Sequence, residues 1–357
     1  MYKKLCALTS VLLLAAGMGE AFAYNTIKCG TLNARWTSNS YATSASSVGF
    51  PVGPWRNALA SVVTRWHSNP SNLGFSVSYN DPSVGLGNGQ SEVWWTSGFG
   101  APAIANWWLN TSTCRFTEVD IRFDNTVSYH YTTAKSSLWP YGGSFRPFQT
   151  TAMHEFGHAA GLGHTALTYS VMGQDWTHIH ANGATATAYP GEDASAGVVA
   201  VYGLWTSAPQ DVGIAHWRRT GASGEYSTHD RTRILNASGV ELARVAGPAE
   251  RTYYVTKGQT VRLEMSTENM GRTSPLTLAV GYYLSTNDTI STLDTFLGSS
   301  SHTLSRDQVL TTTRTLVVPS TLTSGATYWL GAIIDYTGAL AEGYENNNAT
   351  YTAIRVR

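Results

Sequence analysis

Three histidines fall within eleven residues of one another, at His154, His158 and His164, inside the segment Thr151-Ala-Met-His-Glu-Phe-Gly-His-Ala-Ala-Gly-Leu-Gly-His164. Residues four apart lie about 40° apart around a helix, so His154 and His158 share one face and can grip one cation from successive turns. Glu155 is one residue along, where its carboxylate can reach water beside that cation. A straight helix would carry His164 about 15 Å from His154. The chain must therefore turn back, and Gly161 stands where the helix has to end, since glycine takes the left-handed conformation cheaply. Three imidazoles suit Zn²⁺ and leave a fourth position for water, which predicts a catalytic rather than a purely structural ion.

The elements needed to position these residues can be read around them. Gln149 to Ala160 and Glu192 to Tyr202 are predicted helical, as is Pro54 to His67, where Trp55, Leu59, Val62, Val63 and Trp66 recur at helical spacing behind a first-turn proline. Strands are expected at Gly74–Tyr79, Glu92–Thr96 and Phe116–Phe123. The polar stretch Thr206–Asp211, with Pro209, reads as a linker. Beyond it strand-like runs recur at 251–255, 260–265, 276–284, 308–318 and 327–334, with turn residues between them and no amphipathic helix. The expected organisation is residues 1–23 as a leader, 24–204 as a catalytic unit, 205–210 as a linker and 211–357 as an all-β sandwich. The short, proline-containing linker predicts that the two units fold separately.

The histidine segment resembles the signature of the metzincin zinc metalloproteases. Met172, in Ser170-Val-Met-Gly173, resembles the residue of their methionine turn. The short step from His164 to Met172, and the helix Asp193 to Gly203, resemble the matrixin branch in particular. The resemblance covers roughly residues 33–204. It implies an α+β zincin-like fold, a mixed sheet carrying an active-site helix, with His154, His158 and His164 as zinc ligands and Glu155 as general base. It also implies Trp176 as an aromatic wall of a substrate pocket, although the proline that accompanies this residue in the family is absent. FTEVDIRFDN, around 116–125, resembles the edge strand to which substrates add. A Ca²⁺ site is expected in the Asp81–Gln90 loop. The segments 283–288 and 334–348 resemble the cell-adhesion-related (CARDB) β-sandwich of exported bacterial proteins, which implies an Ig-like sandwich and contact with a cell surface or matrix.

Lys3 and Lys4, the apolar run Leu5–Met18 and Ala21-Phe-Ala23 form a signal-peptide pattern, cleaved before Tyr24. The run is too short to span a bilayer. Cleavage would leave Cys29 and Cys114. Two cysteines in an exported chain most simply form a disulfide. The other reading makes Cys29, in Lys28-Cys29-Gly30, a thiolate that caps the metal. Lys+Arg and Asp+Glu balance at 23 each, which gives no basic field for nucleic acid. With 42% hydrophobic residues a sizeable core can form, which excludes a disordered chain.

The expectation is a secreted zinc endopeptidase, extracellular or periplasmic, acting on protein or peptide. The alternatives are a zinc hydrolase for a non-peptide amide or ester, and an adhesin that uses the zinc fold as a scaffold.

Overall fold

The computed structural model describes residues 24–357, so the leader predicted for residues 1–23 lies outside the described residues. The N-terminal part is built on a five-stranded mixed sheet. Its strands are β1 (Ser40–Ser46), β2 (Gly74–Asp81), β3 (Glu92–Thr96), β4 (Ala103–Asn110) and β5 (Arg115–Asp124), in the order β2-β1-β3-β5-β4. All neighbours are parallel except β4, which runs antiparallel to β5 at one edge. Helix α1 (Pro54–His67) begins on its proline and buries Leu59, Val62, Val63 and Trp66. Helix α2 (Phe148–Ala159) is buried along its whole length. Tyr41 and Phe75, in register on β1 and β2, both touch Phe156 of α2, and Phe75 also meets Trp66 of α1. Both helices therefore press on the same face of the sheet. Helix α3 (Gly191–Tyr202) closes this core with Ala194, Val198 and Val201.

The second core lies between two sheets of residues 212–356. In one, β11 (Thr260–Asn269) pairs with β14 (Leu310–Val317) along one edge and with β6 (Val212–Ala215) and β9 (Ile234–Asn236) along the other. The other has the order β10-β16-β15-β12-β13, from β10 (Thr252–Val255), β16 (Ala349–Val356), β15 (Thr327–Ile334), β12 (Leu276–Ser285) and β13 (Thr295–Leu304). This is the expected sandwich. A hairpin of β7 (Trp217–Ser223) and β8 (Tyr226–Arg231) stands apart from both sheets. Among the described residues no helix is long and apolar enough to cross a membrane.

The two parts meet over a buried surface rather than through a bare linker. A third apolar cluster joins Leu138, Tyr169, Ile179 and Ala186 to Ala215 and Trp217. Lys135, 6% exposed, pairs with Glu250 at 2.7 Å and Asp288 at 2.6 Å, both from beyond the linker. Glu268, fully buried, faces His178 at 3.2 Å and His180 at 3.3 Å.

Candidate metal centre

The turn after α2 is made by Gly161, at φ 91°. A Cβ there would lie 2.5 Å from the Ala34 carbonyl oxygen, so glycine serves both the conformation and a close approach. The chain then pairs Leu162–Gly163 with Asn25–Thr26 and delivers His164 back towards α2. Asn25 fixes the new direction by donating its side-chain N–H to the His164 carbonyl at 3.2 Å. His154, His158 and His164 come together with one ring nitrogen each inside a sphere of mutual distances below 4.8 Å.

The proton positions follow from the partners. His154 Nδ1 faces the Val171 carbonyl at 2.7 Å, His158 Nδ1 the Leu162 carbonyl at 2.8 Å and His164 Nδ1 the Glu225 carboxylate at 2.8 Å. Each partner is an acceptor, so each Nδ1 carries a proton and Nε2 is the nitrogen left for a ligand. The Nε2 atoms of His158 and His164 are 3.0 Å apart. Two nitrogens about 2.0–2.1 Å from one tetrahedral ion lie about 3.3 Å apart. The donor set therefore fits a cation that accepts imidazole nitrogen. Burial pushes the pKa of His154 down to about 4, and that of His158 well below its ordinary value with the other two rings adding to the effect. Both rings are neutral at neutral pH, as ligation requires.

Met172 is buried against α2, 1% exposed. A Cβ on Gly157 would come within 2.3 Å of its sulfur, so the α2 glycine between His154 and His158 is what admits the methionine. The turn holding Met172 is pinned from α3: Asp193 accepts from the Ser170 hydroxyl at 2.6 Å, and that hydroxyl accepts from the Met172 N–H at 3.0 Å.

Glu155 is 5% exposed. Burial pushes its carboxyl up to about 8, and the nearby charge of Asp175 adds to this, against a backbone hydrogen bond from Ala105 of β4. A cation held by the three histidines would favour the ionised form. On one side of Glu155 opens a cavity of 540 Å³, walled by Trp176, Arg146, Gln174, Tyr226 and the start of β4. Arg146 is locked in its wall, with Nη2 2.6 Å from Asp175 Oδ1 and Nε donating to Thr151 at 2.9 Å. Burial works against the Asp175 charge, but the Arg146 guanidinium outweighs it and holds the carboxyl below its ordinary value. On the other side a cavity of 440 Å³ is lined by Trp107 and Asn106 of β4, by His158 and His164, and again by Tyr226. Together they form a groove along the free edge of β4, with Glu155 between its halves.

The edge strand is a correction to the sequence reading. FTEVDIRFD lies in β5, an interior strand paired with β4 along one side and with β3 at Ile121–Asp124 on the other. The edge facing the groove is Ala103-Ile-Ala-Asn-Trp-Trp-Leu-Asn110. Trp176 does stand in the groove wall. Cys29 and Cys114 form a disulfide, with Cα atoms 5.6 Å apart, so Cys29 does not cap the histidines. In the Asp81–Gln90 loop, backbone N–H groups turn onto acidic side chains behind it, Gly85 onto Glu92 at 2.7 Å and Gly89 onto Glu118 at 2.8 Å. Sequence reasoning missed Arg146, Asp175, Glu225 and Tyr226, which lack any local motif.

No family model matches the chain, and no curated protein matches it. Solved structures similar to it include the CARDB domain of a Pyrococcus furiosus protein in complex with di-metal ions, at 14% identity over 42% of this chain and 90% of that one, with a TM-score of 0.26. A solution structure of the same domain matches at 18% identity over 29% of this chain and 84% of that one, with a TM-score of 0.22. A β-glucosidase from Erythrobacter marinus matches at 11% identity over 94% of this chain and 49% of that one, with a TM-score of 0.21. Likenesses this slight carry neither a fold assignment nor an activity.

Proposed function

We propose that this chain is an exported zinc endopeptidase, with His154, His158 and His164 as the zinc ligands and Glu155 as the general base. The observation that carries the proposal is the convergence of one ring nitrogen from each of three histidines, each with its Nδ1 tied to an acceptor, beside a buried carboxylate in an open groove. The Cys29–Cys114 disulfide supports export, because such bonds persist in oxidising compartments.

Zinc supplies, when bound, the Lewis acidity that polarises a scissile carbonyl and makes nearby water acidic at neutral pH. The remaining chemistry belongs to the chain. An extended substrate can add to the free edge of β4 through backbone hydrogen bonds, which sets its direction without selecting its sequence. One side chain then enters the cavity walled by Trp176 and Arg146. Glu155 takes a proton from the attacking water as the water oxygen bonds to the carbonyl carbon. The C–N bond then breaks, and Glu155 passes that proton to the departing nitrogen. The groove is open at both ends of Glu155, which suits cleavage within a chain rather than at its terminus.

The test is incubation of the purified zinc-loaded protein with a denatured protein and, separately, with small aryl esters and amides. Internal cleavage of the polypeptide is the expected result. Turnover of the small esters with the polypeptide left intact would identify a non-peptide hydrolase instead.

A further inference from the structure

We infer that Glu225, from the hairpin beyond the linker, is a positioning residue of the metal centre and acts through His164. The inference rests on the zinc reading above and extends the centre into the C-terminal part of the chain.

The other two histidines have their Nδ1 atoms fixed by backbone carbonyls of the segment that follows α2. Among the described residues, no such carbonyl meets His164 Nδ1. This nitrogen instead meets Glu225 Oε1 at 2.8 Å. A carboxylate here does two things. It holds the proton on Nδ1, so Nε2 keeps its lone pair, and it raises the basicity of the ring as a ligand. Tyr226, the next residue, lays its ring 4.2 Å from the His164 ring between centroids and limits its rotation from one face.

The hairpin can do this because it is docked, not tethered. Ser227 donates its N–H to the Thr165 carbonyl at 2.7 Å, and Gln174 donates its N–H to the Ser227 carbonyl at 3.0 Å. Arg219 Nε donates to the Ala166 carbonyl at 2.8 Å. Gly173 lets the strand come this close, since a Cβ there would sit 1.8 Å from Ser227 Oγ. The turn that presents Glu225 is opened by Gly224 at φ 60°. The hairpin thus fastens to the chain on both sides of the methionine turn, and its tip falls on the third histidine.

The Glu225 side chain is 67% exposed. As an isolated ion pair it would contribute little to stability. That makes ligand positioning separable from folding by experiment. Zinc affinity is measured by chelator competition on the full mature chain and its Glu225→Ala and Glu225→Gln variants, with the thermal midpoint of each metal-free protein alongside. The expected result is an affinity about 10–100-fold weaker in Glu225→Ala, the usual loss for such an outer partner. Glu225→Gln, which keeps an acceptor oxygen, should fall between, with all metal-free midpoints alike. Affinity in Glu225→Ala within twofold of the unsubstituted chain overturns the inference while leaving the zinc reading intact. A lowered metal-free midpoint, or Gln as weak as Ala, also overturns it, because Glu225 would then brace the fold or act by charge alone. Failure of the unsubstituted chain to bind zinc overturns both readings.

Discussion

Glu268 and His178 meet across the boundary between the two cores, Oε1 to Nε2 at 3.2 Å, with neither side chain exposed to solvent. The other oxygen of Glu268 faces His180 at 3.3 Å. Burial alone would raise this carboxyl, but the two histidines outweigh it and hold it below its ordinary value. Removing one partner of a buried pair leaves an uncompensated polar group and costs about 3–5 kcal/mol. Glu268→Ala is therefore expected to lower the urea midpoint of the whole chain in one cooperative transition. A chain ending at Leu204 would lose Glu268 and expose Tyr169, Ile179 and Ala186, which pack on Ala215 and Trp217. We predict that it shows no cooperative unfolding, measured by circular dichroism against urea.

Asp193 gives a second, pH-dependent expectation. It is 1% exposed, and burial pushes its carboxyl up to about 7, against the Ser170 hydrogen bond and with the charge of Glu268 adding to the rise. Glu192, fully buried beside it, is likewise raised well above its ordinary value by burial, with Asp193 contributing. For a carboxyl raised in the folded state, the folded protein holds a proton that the unfolded chain has released. Its contribution to stability is complete below the unfolded value of 3.8 and is lost as pH rises through about 7. Asn cannot ionise and keeps an acceptor for Ser170. Asp193→Asn should then raise the thermal midpoint more at pH 8 than at pH 5, where only part of the contribution has been lost. Equal effects at the two pH values would contradict the assignment.

The histidine cluster was legible in the sequence because it is local. The spacing of His154 and His158 and the break at Gly161 are properties of one helix and its end. The strands at Thr260–Asn269 and Leu276–Ser285 were visible in part, over 260–265 and 276–284, since Val261, Leu263 and Met265, and Leu276, Leu278, Val280 and Tyr282, recur at every second residue. The hairpin 217–231 was not. Its strands are polar, as suits a ribbon outside both sheets, so no alternation marks them. Glu225 and Asp175 reach the site only through tertiary folding, and nothing in their neighbours announces it. The role of Gly157 was hidden for the same reason, because the sulfur that needs its space belongs to Met172.

Gly161 carries a prediction of its own. Alanine there would have to adopt φ 91° and place its Cβ 2.5 Å from the Ala34 carbonyl oxygen. Strain of this kind costs about 1–3 kcal/mol before the contact is relieved. Relieving it moves the segment that carries His164. Gly161→Ala should lower both the thermal midpoint and the zinc affinity, measured by calorimetry and chelator competition. A variant that loses neither would show that the turn has room the structure does not provide.

The central claim is that Glu155 moves the proton while the histidines hold the metal. Replacing Glu155 with Gln removes the base and leaves His154, His158 and His164 in place. Metal analysis and cleavage of a denatured protein, performed on the same preparation of Glu155→Gln, test this most directly. The account predicts one zinc per chain in both proteins and a loss of cleavage of about 10²–10⁴-fold in the variant. Cleavage within tenfold of the unsubstituted chain, with the zinc retained, would contradict it.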